Sequence, residues 1–399
     1  MNILIADNIA DVGVEALREN HDVSEQPALE GKALTEAFRE VEPQVLIVRS
    51  TKVSGDAMDA ASGLELIVRA GAGYDTIDVE GASRRGIFIA NCPGQNSVAV
   101  AELVMGLVVA LDRRIPDNVI DAREGRWNKK EYAQADGLKG KALGIVGLGN
   151  IGWEVARRAH AFDMDVIAWS RSLTPARAER LGVGHRSGPE AVARDADVVS
   201  LNVASVPETH HLADDDFFGA MQPGAFLINT ARAAVVDEDA LRRAMDEKNI
   251  KAALDLVEGE PAQKQAEFEH PLAGHPNCYV THHIGASTQQ AQDATGEEAA
   301  RVIREYDRTG QVPNCVNLAQ QTPATHQITV RHLDQVGVLA GVLDEMRKAD
   351  WNIQEMDNLI FEGAEAACAQ MRFDGPFDED TVDRIAARDD VLAVSVIGL

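Results

Sequence analysis

Cysteine is scarce: Cys92, Cys278, Cys315 and Cys368 are the only four in 399 residues. They are widely spaced and make no CxxC or Cys/His ligand pattern. That excludes a disulfide framework and a metal site built on them, and free thiols in a reducing compartment are expected. Basic charge is also short, with 38 Lys and Arg against 64 Asp and Glu and a net charge of −26. Such a field repels a phosphate backbone, so nucleic acid is not an expected partner. No apolar run approaches the ~20 residues of a membrane span, and no membrane association is expected. The start, MNILIADNIA, runs straight into a strand-like stretch without a basic region or small-residue cleavage site, so a cytoplasmic protein is expected. The carboxylates are spread along the chain, as on a strongly solvated surface. A high-salt host would suit it, because screening relieves self-repulsion.

A hydrophobic share of 45% with 26% charged residues is that of a folded protein too long for one ordinary domain. Residues 1–95 alternate short apolar runs (NILIA, QVLIV, LELIVRAGAG, IFIAN) with helical segments, the pattern of a parallel sheet covered on both faces. SVAVAELVMGLVVALDRR, at 97–114, reads as a buried helix leaving that lobe. KALGIVGLGNIG, at 141–152, opens a second series, with strands expected at ALGIVG, DVIAWS, VVSLNV, AFLINT, AALDL and CYVTHH. A long helix over 287–310 follows, and VPNCVNLAQQTPAT within 312–325 reads as a linker. The tail from 326 to 399 has the order βαββαβ, the ferredoxin-like plan. The expected architecture is therefore α/β: two Rossmann-like, doubly wound parallel-sheet lobes and a C-terminal ferredoxin-like module. The first lobe takes residues 1–95 and 286–312, the second 96–285, and 313–325 links them to the module.

Gly147-Leu148-Gly149-Asn150-Ile151-Gly152 is a GxGxxG directly after a strand and opening a helix. The first glycine permits the tight turn, the second lets backbone approach a pyrophosphate, and the third lets helix and strand pack closely. A dinucleotide is the expected cofactor. The next strand ends Trp169-Ser170-Arg171 and carries no carboxylate to grip a ribose 2′-hydroxyl. NAD is expected, with NADP open: Arg171 either meets a 2′-phosphate or stacks on adenine as an exposed loop residue.

Arg232, Glu260 and His283 follow in order, each at or just beyond the C-terminal end of a strand, where open α/β sheets place ligands. Singly each has an ordinary reading: a surface ion pair, a solvated carboxylate, a packed loop histidine. Together they suit hydride transfer at a carbon bearing a hydroxyl. An imidazole takes the proton, a carboxylate orients the ring, and a guanidinium holds the carboxylate of a 2-oxo acid.

The segments RAGAGYDTID, NCPGQNSVAVAEL, GIVGLGNIG, INTARAAVVDE, ALDLVEGEP and HIGASTQQAQ come in the order found in the D-2-hydroxyacid dehydrogenase family. The chain resembles that family from LIVRST to about residue 316, and most of all its phosphoglycerate-oxidising branch. The resemblance implies Arg232 as carboxylate binder, His283 as acid–base group and Glu260 as its partner. It places Asn202, Thr230, Ala231 and Asp255 beside the cofactor, and Asn96 and the Gly71-Ala72-Gly73 backbone beside the substrate. Arg49, Ser50, Lys52, Arg69 and Lys129 match basic or phosphate-binding positions of that branch. His282 stands where the family usually has proline, so the two adjacent histidines compete for the acid–base role. Asn202 stands where histidine is common.

The tail, VRHLDQVGVLAGVLDEMRKADWNIQEMDN, resembles an ACT domain, with His332, Asp334 and Asn352 at the effector positions. Serine or another amino acid is the implied effector, and a homodimer or homotetramer the implied assembly. The implied reaction is oxidation of 3-phospho-D-glycerate in serine biosynthesis. An NADPH-dependent hydroxypyruvate or glyoxylate reductase is the alternative, and a dinucleotide-sensing interaction protein the reading from another class.

Overall fold

Runs of branched aliphatic residues that cannot sit on a solvated face become the strands of two parallel sheets. A computed structural model describes residues 1–261, 265–319 and 321–399. In it β1 (Asn2–Ile5), β2 (Asp22–Glu25), β3 (Val45–Val48), β4 (Leu66–Arg69) and β5 (Phe88–Asn91) form the first sheet, in the order β2-β1-β3-β4-β5. The second holds β6 (Ala142–Val146), β7 (Asp165–Trp169), β8 (Gly184–His185), β9 (Val198–Leu201), β10 (Phe226–Asn229), β11 (Lys251–Leu254) and β12 (Cys278–Val280). Its order is β12-β11-β10-β9-β6-β7-β8. All pairs within both sheets are parallel. Strand order reverses between β1 and β3 in one sheet and between β6 and β9 in the other. Such switch points open a crevice at the C-terminal strand ends. Two strands go beyond the sequence reading. β2 (Asp-Val-Ser-Glu) and the two-residue β8 carry no apolar run, and each is an edge strand with one neighbour.

The helix Ser97–Arg113 packs Ala101, Val104, Val108 and Leu111 against Leu143, Ile145 and Ile228 of the second sheet. The helix Gln289–Thr309 returns to the first, burying Ala299, Ala300, Val302 and Ile303 against Ile3, Ile5, Val45 and Val68. That spacing puts its apolar residues on one stripe. The Thr288 hydroxyl caps its start by accepting from Ala291 N at 3.2 Å, and Gly310 ends it in the left-handed conformation. Each fully buried Ile or Val contributes about 1.5–3 kcal/mol.

The chain divides into Met1–Asn317 and Leu318–Leu399. Residues 313–317, read as the start of the linker, instead extend the first unit: Val316 N donates to Ile89 O at 2.8 Å and Ile89 N to Asn317 Oδ1 at 2.8 Å. Gln320 lies outside the described residues. The second unit is a four-stranded antiparallel sheet of β13 (His326–Leu333), β14 (Asn352–Ile360), β15 (Ala366–Asp374) and β16 (Val391–Gly398), ordered β14-β15-β13-β16. Helices Val338–Lys348 and Glu379–Ala386 complete a βαββαβ sequence. Trp351 stacks on Phe373 with ring centroids 4.2 Å apart, and its indole N–H donates to Pro376 O at 2.8 Å. No helix among the described residues is long and apolar enough to cross a membrane.

Candidate active site

At the β6/β9 switch point the glycine turn is dictated by space. Gly147 has φ +98°, and a Cβ there would stand 2.5 Å from Asn202 O. A Cβ on Gly152 would stand 2.3 Å from Gly147 O, whereas at Gly149 it would meet nothing within 4 Å. The turn is thus closed where helix and strand touch and open above Gly149, where the helix Asn150–Ala161 begins. Backbone N–H groups at a helix start favour a phosphate. Two nearby buried oxygens, Asn202 Oδ1 and Thr230 Oγ1, have no protein partner. Buried polar atoms without partners are rare and fit a site completed by a ligand. The residues present therefore fit a dinucleotide. Ser170 is half-buried and Arg171 exposed; no ion pair holds Arg171 among the described residues.

Asn229, fully buried at the end of β10, shapes the next turn. Its Oδ1 accepts from Ala231 N at 3.0 Å, and its Nδ2 donates to Arg232 O at 2.9 Å. Arg232 is thereby aimed across the first sheet's loop. Its Nη2 lies 3.3 Å from Asp75 Oδ1, and a Cβ added to Gly73 would fall 2.1 Å from that nitrogen. Burial alone would raise the Asp75 carboxyl, but Arg232 holds it below the ordinary carboxylate range. Ala72 O accepts from Asn91 Nδ2 at 2.6 Å, which fixes the same loop.

Asp255, 1% exposed, organises the loop carrying the histidines. Its carboxylate accepts from Thr281 Oγ1 at 2.5 Å, Ile284 N at 2.9 Å and Gly285 N at 2.8 Å, and its carbonyl accepts from His283 N at 2.8 Å. These bonds hold His283 at φ +51°, a costly backbone conformation for a non-glycine residue and one that clusters at functional sites. His283 Nδ1 meets Glu260 Oε1 at 2.9 Å. Of the two adjacent histidines, His283 is the one that pairs with the carboxylate and lines the cavity.

That cavity, about 300 Å³, lies at the β1/β3 switch point and is lined by Arg49, Ser50, Arg69, Asn96, His283 and Gln292 among others. Asp7, just past β1, holds the backbone of two lining residues, Arg49 and Ser50. One Asp7 oxygen accepts from the backbone N–H groups of Arg49 (2.7 Å), Ser50 (2.9 Å) and Thr51 (2.9 Å). Burial raises the Asp7 carboxyl, yet these donors bring it below its ordinary value. Burial and the neighbouring Arg232 push the Arg69 guanidinium below the usual arginine range. Asp75 opposes the shift and Arg49 adds to it. Arg69 Nε is buried without a partner. Three guanidiniums thus converge with one carboxylate among them, an arrangement that an anion would satisfy.

Two residues read as substrate binders are not brought to the cavity. Lys52 is exposed, Lys129 is exposed on a short helix, Lys129–Tyr132, and neither is in the cavity lining. In the second unit, His332 is buried, with Nδ1 2.8 Å from Leu333 O and Nε2 3.2 Å from Asn358 Oδ1. Asp334 follows β13, with its N–H on Glu365 O. Asn352 is opposite Asp374, at the other end of the sheet from the His332–Ala367 pair. Within one chain these three therefore form no common site, and Asn358 takes the place beside His332. Asp7, Asp75 and Asn229 are site residues that sequence reasoning missed.

A glycine turn at one switch point and a histidine–carboxylate pair at the mouth of the other define an NAD-dependent oxidoreductase. Residues 105–285 match the D-isomer specific 2-hydroxyacid dehydrogenase, NAD binding domain. The D-3-phosphoglycerate dehydrogenase of Methanocaldococcus jannaschii is 35% identical over 367 residues, covering 91% of this chain and 68% of that protein. NAD⁺-bound 3-phosphoglycerate dehydrogenase of Entamoeba histolytica is similar at 26% identity and TM-score 0.66, over 80% of this chain and 99% of that one. The NADPH-dependent glyoxylate/hydroxypyruvate reductase of Sinorhizobium meliloti, with NADP and malonate, is 28% identical at TM-score 0.68, over 79% and 96%. The chain belongs to the D-isomer specific 2-hydroxyacid dehydrogenase family.

Proposed function

We propose that the chain is a D-3-phosphoglycerate dehydrogenase, oxidising 3-phospho-D-glycerate to 3-phosphooxypyruvate with NAD in serine biosynthesis. The observation that carries this reading is that Arg49 and Arg69 line one cavity, with Arg232 a charged neighbour of Arg69, in a chain of net charge −26. Such a cluster fits a substrate bearing a phosphate as well as a carboxylate, and exceeds what glyoxylate or hydroxypyruvate needs.

Arg232 and the Gly71–Gly73 backbone hold the substrate carboxylate, while Arg69, Arg49 and Ser50 hold the phosphate. Glu260 accepts the Nδ1–H of His283, which leaves Nε2 as the base; this tautomer follows from the partner. As C2 gives up its hydride, His283 takes the hydroxyl proton, and Glu260 stabilises the imidazolium so formed. A dinucleotide held by the glycine turn at Gly149 and the start of the helix Asn150–Ala161 would supply the hydride acceptor. In the reverse direction His283 returns the proton to the carbonyl oxygen.

A second reading, an NADPH-dependent hydroxypyruvate or glyoxylate reductase, is favoured by the Ser170-Arg171 pair and its lack of a carboxylate. Assays with 3-phosphoglycerate and with hydroxypyruvate, each with NAD(H) and NADP(H), decide between them. Turnover of 3-phosphoglycerate supports the first. Its absence, with brisk NADPH oxidation by hydroxypyruvate, replaces it with the second.

The C-terminal unit we read as an ACT-type regulatory module that senses serine or a related amino acid. Because His332 and Asp334 lie at the opposite end of the sheet from Asn352, one ligand touches all three only across two copies of the module. The free edge of β14 supports such pairing: Met356, Leu359 and Ile360 are 40%, 57% and 60% exposed. A cytoplasmic homodimer or homotetramer is the assembly proposed.

A further inference from the structure

We propose that Glu238 is a positioning residue, whose side chain holds the backbone that presents Glu260 to His283. The proposal rests on the acid–base reading of that pair, and on no choice of substrate.

Glu238 is the first residue of the helix Glu238–Lys248, a few positions past Arg232. Asp237 already caps this helix, its side chain accepting from Ala240 N at 2.9 Å, so the helix does not need the Glu238 carboxylate. That carboxylate is nevertheless turned inward, with its side chain only 15% exposed. A buried carboxylate is costly unless its oxygens are partnered. Both partners bracket Glu260 in the chain. Glu238 Oε1 accepts from Glu258 N at 2.7 Å, and Oε2 lies 3.1 Å from His270 Nε2. His270 Nδ1 accepts from Leu272 N at 3.3 Å, so the ring proton is on Nε2 and points at Glu238.

The parts that do the holding are anchored. Ala240, Leu241, Ala244 and Met245 of the helix, and Leu272 beyond His270, all belong to the core of the second sheet. Phe268 lies parallel to the His270 ring at 5.8 Å and packs against that core. Gly259 turns at φ +70°, and Glu260 N reaches Val257 O at 3.3 Å. One carboxylate thus ties the turn after Arg232 to the loop bearing Glu260. Without it the loop bearing Glu260 loses that tie.

The test is steady-state kinetics of the full chain, with whichever 2-hydroxy acid it turns over, on Glu238→Ala, Glu238→Asp and Glu238→Gln. Glu260→Gln and His283→Ala serve as references, and dinucleotide binding and melting temperature are measured on each. A displacement of about 1 Å in a catalytic group can cost on the order of 100-fold in rate. The expected result is a fall in kcat of roughly 10- to 100-fold in Glu238→Ala and Glu238→Asp. KM and dinucleotide affinity stay within about twofold, since no binding group is removed. Glu238→Gln keeps the acceptor for Glu258 N but turns its amide N–H groups toward His270 Nε2–H, so it recovers only part of the rate. Glu238→Ala with normal kcat, beside impaired Glu260→Gln and His283→Ala, overturns this inference alone. Full activity in Glu260→Gln and His283→Ala removes the acid–base reading itself, and the inference with it.

Discussion

Replacing Arg69 with methionine separates binding from folding, because the two depend on this side chain in opposite ways. In an ordinary buried ion pair, removing one partner strands the other and costs about 3–5 kcal/mol of stability. Arg69 has no such partner: its Nε is buried and unsatisfied, and no ion pair involves it among the described residues. Its nearest charges include the like-charged Arg232 and Arg49. Methionine fills similar space without a charge to desolvate, so the ligand-free variant melts at or above the temperature of the parent.

Binding moves the other way. Charge-assisted hydrogen bonds are worth about 1.5–3 kcal/mol each, which corresponds to roughly 10- to 100-fold in affinity for 3-phosphoglycerate. A ligand at 100 times its Kd stabilises the parent by about 2.7 kcal/mol; at the same concentration the variant gains only about 0.4–1.4 kcal/mol. The assay is thermal melting with and without 3-phosphoglycerate, together with KM for that acid and for hydroxypyruvate. Loss of phosphate contact raises the first KM far more than the second. A variant that melts well below the parent and keeps both KM values would show that Arg69 serves the fold, and would refute the phosphate assignment.

His283→Ala should lower kcat by about 10²–10⁴-fold, the usual share of a general acid–base group, while His282→Ala stays within a few-fold in the same assay. Arg171→Ala should raise KM for NADP about tenfold or more and leave that for NAD within about twofold, as expected for one lost charge-assisted contact; equal effects on both cofactors would place Arg171 on the adenine. Asp7→Ala should cost about 1–3 kcal/mol at pH 7, because three backbone N–H groups lose their acceptor. The Asp7 carboxyl is depressed in the folded state, so its contribution is complete above the unfolded value of about 3.9 and is lost as pH falls through the folded one. Parent and variant stabilities, measured by urea unfolding, should therefore converge below about pH 4.

The strands legible in the sequence are those buried on both faces, such as β3 (Val-Leu-Ile-Val) and β10 (Phe-Leu-Ile-Asn), where every side chain must be apolar. β2 and β8 escaped because an edge strand is held by backbone pairing to one neighbour, which leaves no mark on side-chain pattern. The glycine turn was legible because it is local: Gly147 and Gly152 are excluded from carrying a Cβ by atoms a few residues away or on the adjoining strand. Asp7 was not, since its partners Arg49, Ser50 and Thr51 stand 42 to 44 positions along the chain. Lys52 shows the converse. Its charge matched a pattern, yet it follows Thr51, whose hydroxyl reaches Leu29 O at 3.2 Å, and its own side chain is solvated. Charge type is readable from sequence, whereas direction depends on backbone held by distant groups.

The same separation of near and far applies to charge. At the cavity Arg49 and Arg69, with Arg232 as a charged neighbour, attract an anion, but beyond it the net charge of −26 repels one. Salt acts on these two terms unequally. Between about 0.01 M and 1 M the screening length falls from roughly 30 Å to 3 Å, which removes the long-range repulsion first. Contacts made in a partly buried site are screened much less. Enzymes that steer anions with a basic surface lose kcat/KM as salt rises. Here kcat/KM for 3-phosphoglycerate should rise with added KCl until the Debye length shrinks to the dimensions of the cavity, and only then fall. A steady decline from the lowest salt onward would mean that the three arginines outweigh the rest of the surface even at a distance. It would also remove the argument that this surface suits a high-salt environment.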